Sequence, residues 1–297
     1  MATVETTARA PADRERLLAL GAGLVTVSLW ASAFVGIRAA GEDLSPGALS
    51  LGRLTVGSVL LGALALWQGG RRPGRGELPL LLACGVLWFG LYGLVLNEAE
   101  RRVDAGTASM LVNVGPVLIA LLAGLLLREG FPHMLLAGCA VAFTGALVIG
   151  LATTDRGLAA GWGSVLCAVA AALYAGGVIA QKPLLSRASA LQVTWLACVI
   201  GMLVCLPFAP RLVEELADAP PSSIAWMVYL GAFPTAVAFT TWAYALSRTT
   251  AGRMGATTYL VPPIAILLGW VFLSEAPELL AFGGGALCLA GVVVSRR

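Results

Sequence analysis

The sequence predicts an all-α polytopic membrane protein in which ten transmembrane helices form two inverted five-helix repeats (5+5) around a central cavity. Three observations predict it: the composition, ten apolar windows punctuated by charge, and an internal repeat that holds five windows per copy. Of 297 residues, 59% are apolar and only 12% carry charge, roughly half the ~25% charge of a soluble domain. A span needs about 20 apolar residues, so ten spans leave only short connections and tails. The longest charge-containing stretches, 1–16 and 208–222, are too short to bury a core of their own. A large extramembrane catalytic or nucleotide-binding domain is therefore excluded.

The windows follow in order. Residues 1–16, with Arg9, Arg14 and Arg16, read as a cytoplasmic tail, and repeat 1 then covers 17–151 with spans at 17–37, 46–68, 78–97, 105–127 and 132–151. Repeat 2 covers 158–297, with spans at 158–181, 190–208, 222–247, 251–273 and 277–295. The first window is a span and not a cleaved signal, because its apolar run continues past Ala31-Ser32-Ala33 to Ile37. Runs such as Leu78–Leu82, Val117–Leu127 and Val261–Phe272 are apolar on every face, which excludes the alternation of a β-barrel strand. Helices follow, since hydrocarbon satisfies no backbone group. Thirteen of the nineteen Lys and Arg fall on the side of the N-terminus, five on the other side, and Arg53 alone within a span. The positive-inside rule places both ends in the cytoplasm. All six cysteines fall in spans without CxxC spacing, so they read as small packing residues, with no disulfide and no metal site.

Laid on itself, the chain matches Ala105-Gly106, Pro116 and Leu127-x-Glu129 with Ala251-Gly252, Pro262 and Leu273-x-Glu275, a displacement of 146 residues; a displacement of 144 lays Leu29-Trp30 and Arg38 over Leu173-Tyr174 and Lys182. Five spans per copy is odd, so the second copy enters the membrane from the opposite side. Chains built this way bind solute near the midplane between the repeats.

The string Trp30-x-x-x-Phe34-x-x-x-Arg38 followed by Pro46 and Arg53, with Ala105-Gly106 to Pro116 to Leu127-x-Glu129 and its second copy, resembles the EamA-type branch of the drug/metabolite transporter superfamily. The resemblance implies ten helices, cytoplasmic ends and a cavity lined by spans 1, 3, 4, 6, 8 and 9. It implies a membrane exporter of small metabolites, nearest in look to bacterial amino-acid and metabolite exporters, the aromatic amino acid exporter among them. Other small solutes or drugs remain an alternative substrate class. The second copy departs from the first where Ala197 stands opposite Arg53 and Tyr244 opposite Glu98.

In the helices so implied, Trp30, Ser32, Trp88, Tyr92, Asn113, Tyr174, Thr240, Thr258 and Tyr259 are the candidate substrate-binding residues, with Trp30–Tyr174 and Asn113–Tyr259 as symmetric pairs. Such a lining, apolar with a few hydroxyls and one amide, suits a small neutral or zwitterionic solute. For each aromatic, interhelical packing is the competing reading. Arg53 is expected to form a gating or structural ion pair with an outer carboxylate such as Glu98, direct contact with a substrate carboxylate being the alternative. Glu129 and Glu275 are expected to cap the helices that begin near Pro132 and Pro277. Pro116, Pro234 and Pro262 are expected in span interiors, bending them either as hinges or as static kinks. No HExxH, P-loop or GxSxG occurs, and His133 is the sole histidine. Integral membrane enzyme and passive channel are the rival classes; an enzyme would need paired carboxylates or a His cluster at the midplane. The partners implied are a small-molecule substrate and the lipid bilayer, with no nucleic acid and no cofactor. A monomer suffices, and oligomeric state, driving ion and solute stay open.

Overall fold

A computed structural model describes residues 9–102, 111–153, 162–273 and 279–295, and the described residues are helical with no strand. Chain order gives α1 (Arg9–Ala40), α2 (Pro46–Gln68), α3 (Arg75–Glu100), α4 (Gly115–Leu126), α5 (His133–Thr153), α6 (Trp162–Leu184), α7 (Ala190–Cys205) and α8 (Ala209–Asp218). Then come α9 (Pro221–Leu246), α10 (Ala251–Thr257), α11 (Val261–Leu273) and α12 (Leu279–Ser295). Among the described residues, six stretches are long and apolar enough to cross a membrane: α1 from Leu17, α2, α3, α6, the continuous α7–α8 stretch and α9. Gly115–Leu126, His133–Val148 and Phe282–Ser295 are shorter apolar helices. The chain is a polytopic, all-helical membrane protein. Residues 105–110, 158–161 and 277–278 of the expected spans, and the Glu275 cap, lie outside the described residues.

Two details differ from expectation. The helix expected to start at 17 starts at Arg9; its 32 residues reach about 48 Å at ~1.5 Å each, well over the ~30 Å of hydrocarbon, so the charged turns extend α1 beyond the apolar layer. Pro116 and Pro262 are not interior kinks. Each is the second residue of its helix, after a turn at Asn113–Val114 and a 3-10 turn at Thr258–Leu260 respectively. A missing N–H costs nothing there. Pro234 alone of the three lies inside a helical stretch, in the π-helical segment Gly231–Val237 of α9.

The packing repeats itself at the sequence displacements. The other π-helical segment, Gly85–Tyr92 in α3, lies 146 residues before the first. Gly85 lies so close to α7 that a Cβ would sit 2.9 Å from the Ala197 carbonyl and 2.6 Å from Ile200 Cβ; at Gly231 it would sit 2.7 Å from the Arg53 carbonyl and 2.6 Å from Val56 Cβ of α2. Ala197 and Ile200 are Arg53 and Val56 displaced by 144 residues, so the two crossings are copies of one contact. The α5–α12 pair does the same: a Cβ on Gly138 would meet the Gly291 carbonyl, and one on Gly145 would sit 2.5 Å from the Gly284 carbonyl. Each pair is the other displaced by 146 residues. Small residues let backbones touch where lipid gives no hydrophobic force between helices. The six cysteines are buried and form no disulfide.

Enlarging Gly291 to Leu drives a side chain into the Ala142 backbone and is expected to cost at least about 1–3 kcal/mol by overpacking, read as a lower melting temperature in detergent. Gly283→Ala, whose Cβ meets nothing within 4 Å, should leave that temperature unchanged.

Candidate functional site: a cavity above an aromatic floor

The breaks in helix geometry gather around one cavity. Behind its wall, the π-helical segment of α9 contains Pro234, which lacks an N–H and so leaves a carbonyl of the preceding turn without its usual donor. Thr235 Oγ1 donates to the Leu230 carbonyl at 2.8 Å and accepts from Arg53 Nε at 3.2 Å. The Pro234 carbonyl itself accepts from Trp30 Nε1 at 3.3 Å. One irregular segment thus fixes both a guanidinium and an indole. Such π-helical turns are frequent at functional sites.

The cavity has a volume of about 100 Å³ and is lined by α1, α2, α3, the turn before α4, α4, α6, α9 and the α10–α11 junction. Eight sequence candidates line it: Trp30, Arg53, Trp88, Tyr92, Asn113, Pro116, Tyr174 and Thr258. Five do not. The Ser32 hydroxyl instead pairs with Tyr229 Oη at 2.7 Å, and Thr240 donates back to the Ala236 carbonyl at 2.7 Å. Tyr259 is fully buried in the cluster of α1, α5 and α12. Pro234 and Pro262 are buried and shape the wall from behind. The symmetric pair Asn113–Tyr259 is therefore split, with one member in the cavity and the other in the core.

Under the cavity lies a layer of rings. Trp30 stands 6.0 Å from Trp88 and 5.3 Å from Phe239; Trp88 is 5.4 Å from Tyr174 and 4.9 Å from Phe239. Trp242 seals the layer from below at 5.0 Å from Trp30, fully buried. These centroid separations are those of stacked and edge-on aromatic pairs. Phe239 and Trp242 are not among the sequence candidates, which favour polar side chains and include their neighbour Thr240. Their spacing of three, on one helix face, was the available signal. Displaced by 146 residues they stand over Gly93 and Leu96, so the second copy is plugged where the first is small.

Below this floor the α9–α10 connection is gripped at both ends by charges from elsewhere in the chain. Lys182 Nζ of α6 donates to the Leu246 carbonyl at 2.7 Å and to that of Thr249. Glu129 accepts from the Ala251 amide at 2.8 Å and the Gly252 amide at 3.2 Å. A cation thus meets helix-end carbonyls and an anion meets helix-start amides, the favourable sense for each. This corrects the expectation that Glu129 caps the helix near Pro132. Arg128 and Gly130 adopt φ of 58° and 74°, a left-handed reversal that aims the carboxylate at α10. The repeated Ala-Gly…Glu motif thereby gains a physical meaning in its first glutamate.

On the other side the cavity continues toward the α1–α2 turn. Ile37 also lines a second chamber of about 200 Å³, shared with Arg38, Glu42, Asn97, Glu100 and Arg101. The expected partner of Arg53 is corrected here as well: Glu98 pairs with Arg102 one turn away on the exposed surface. The carboxylate whose charge acts on Arg53 is Glu100, which also feels Arg38. Glu100 was overlooked because it falls at the very end of α3, beyond the apolar window.

A helical membrane bundle with an enclosed aromatic cavity, sealed at one end and led into by a charged chamber at the other, has the form of a solute transporter. The chain belongs to the EamA-like transporter family, which matches it twice, over residues 17–151 and 161–297. It is 40% identical, over 94% of its length and 93% of the relative's, to a protein of Streptantibioticus cattleyicolor named a probable terminal-alkyne amino-acid exporter. It is 31% identical to the uncharacterized transporter YdfC of Bacillus subtilis, over 90% of this chain and 87% of that one. A probable amino-acid metabolite efflux pump of Escherichia coli is 24% identical over 92% of each chain. A crystal structure of a protein 21% identical superposes with a TM-score of 0.76 over 93% of this chain and 95% of that one, which shows a common fold.

Neutralising Glu129 and Lys182 together (Glu129→Gln, Lys182→Gln) is expected to loosen the sealed end. Spin labels on Arg187→Cys and Arg253→Cys, both exposed at that end, in a background without the six native cysteines, should then show a longer distance population. An unchanged distance distribution would remove the latch role.

Proposed function

We propose that the protein exports small metabolites, amino acids foremost, across a bacterial inner membrane by alternating access between two inverted five-span repeats. The observation that carries the reading is the cavity itself: polar groups on apolar walls, closed by a ring layer on one side only. The family and the names of the relatives support a small-metabolite exporter. The contact of Gly85 with α7, duplicated by that of Gly231 with α2, and the contact of Gly138 with Gly291, duplicated by that of Gly145 with Gly284, support a two-fold relation between halves. Charge counting favours both ends in the cytoplasm, which turns the sealed end to the cytosol and the charged chamber to the outside. The cavity then faces outward, the state in which an exporter releases its cargo.

In this reading Trp30, Trp88 and Tyr174 hold the apolar part of the solute, while Tyr92, Asn113 and Thr258 supply polar contacts. To face the cytosol, α9 and α10 must swing away from α6 and the α4–α5 turn, parting the rings and releasing Glu129 and Lys182 from the backbone groups they cap. The breaks ahead of Pro116 and Pro262 concentrate that bending, because helix hydrogen bonds are already interrupted there.

The test is flux of radiolabelled amino acids in liposomes, with and without a pH gradient. Trp30→Ala, Asn113→Ala and Tyr174→Ala should each lower it at least about tenfold, the loss that ~1.4 kcal/mol of binding energy represents. Trp67→Ala, on the exposed end of α2, should not. Flux indifferent to all three cavity variants would move the solute's route elsewhere.

A further inference from the structure

Arg53 is a half-buried charge whose surroundings use only part of it. A guanidinium has five N–H donors in a planar fork, and among the described residues only Nε is used, donating to Thr235 Oγ1 at 3.2 Å. The forked end has no carboxylate within salt-bridge distance among the described residues and borders a cavity whose other walls are mainly rings and aliphatic side chains. Cations are rarely left so in hydrocarbon without a ligand or partner to neutralise them. Glu100 presents the converse case in the adjoining chamber. Its Oε1 is buried and has no hydrogen-bond partner among the described residues, although a buried polar atom left without its bond is costly. The two side chains feel each other's charge yet each keeps bonding capacity unused, and Ile37, which lines both chambers, marks where the chambers adjoin.

We infer that Arg53 and Glu100 together read the zwitterionic head of an α-amino acid, the carboxylate against the Arg53 fork and the ammonium against Glu100, with the side chain laid on the Trp30–Trp88 floor. The inference rests on the proposed export of amino acids and adds what selects them. Carboxylate and fork match in shape and charge, which makes the contact bidentate. An ammonium is a compact three-donor cation that suits a single carboxylate oxygen. A solute lacking either group leaves one of two half-buried side chains uncompensated, and a site that hydrogen-bonds a group rejects analogues without it far more strongly than an apolar pocket rejects a change of size. The neighbouring repeat cannot duplicate the reader, because Ala197 occupies the place of Arg53 and Leu246 that of Glu100. The zwitterion is therefore held off the symmetry axis, on the side of the first repeat.

The experiment compares L-phenylalanine with phenethylamine, which lacks the carboxylate, and 3-phenylpropanoate, which lacks the ammonium. Binding to the purified full-length protein is read by tryptophan fluorescence, and flux is read in liposomes. Wild type should prefer phenylalanine to either analogue by at least about tenfold. Arg53→Gln should lose the preference over phenethylamine while keeping that over phenylpropanoate, and Glu100→Gln should do the reverse. Folding of each variant is checked by its melting temperature. Where Arg53→Gln does not fold, Arg53→Lys, which keeps the charge and loses the fork, should weaken phenylalanine binding and leave phenethylamine binding unchanged. The inference is overturned if wild type binds an analogue as tightly as phenylalanine, if both variants lose all three ligands equally, or if the double variant Arg53→Gln/Glu100→Gln regains phenylalanine binding, the result of a purely structural ion pair. Selective binding without flux would strike the export reading and spare this one, whereas amino-acid flux without that selectivity would strike this one alone.

Discussion

Hydrocarbon offers no hydrogen bond, and every other feature of this protein is arranged around that fact. Each backbone amide in the apolar layer must find its partner inside the chain, which makes the described residues helical and leaves irregular backbone admissible only where other protein groups or a cavity meet it. The irregularities are few and they converge. The π-helical segments of α3 and α9, the turn at Asn113–Val114 and the 3-10 turn at Thr258–Leu260 surround the same small volume. Thr235 shows how the debt is settled locally, its hydroxyl bonding the Leu230 carbonyl while holding Arg53.

Much of this was legible in the sequence, because the hydrophobic pattern of a membrane helix is long and survives error at its ends. The windows at 46–68 and 78–97 sit within α2 and α3 or coincide with them, and eight of the thirteen selected residues line the cavity. What was not legible depends on orientation around a helix axis. Ser32, Thr240 and Tyr259 lie on the right helices and point to other neighbours, and no periodicity argument separates the cavity face from the core face of a helix that is apolar all round. Pairings between distant residues were equally opaque. Glu98 and Glu100 stand two residues apart on one helix, hence on different faces, and only the fold decides that Glu100 is the one turned to Arg53 and Arg38.

The Ala-Gly…Glu motif illustrates a third kind of information, visible as a pattern but mute as to cause. Its two copies could be aligned from sequence, and a capping role followed from the general affinity of carboxylates for helix starts. Which helix is capped required the left-handed turn at Arg128 and Gly130. That turn sends the Glu129 carboxylate across to Ala251 and Gly252, in the other copy of the repeat. A motif conserving its spacing within one chain can thus encode a contact between copies, and its regularity says nothing of the partner.

The unequal furnishing of the two copies, Phe239 and Trp242 against Gly93 and Leu96, carries a thermodynamic corollary. Under the alternating access proposed above, stacked rings make one mouth costlier to part than the other, so an empty carrier of this kind spends more time in one orientation. Such a tilt cannot by itself drive uphill movement, since detailed balance requires the ratio of kcat to KM to be equal for both faces of an uncoupled carrier. It does let the individual constants diverge: the face that is rarely presented saturates at a different concentration and turns over at a correspondingly different maximal speed. A carrier with identical halves would work alike from both leaflets; two aromatic side chains on one half are enough to give it a front and a back.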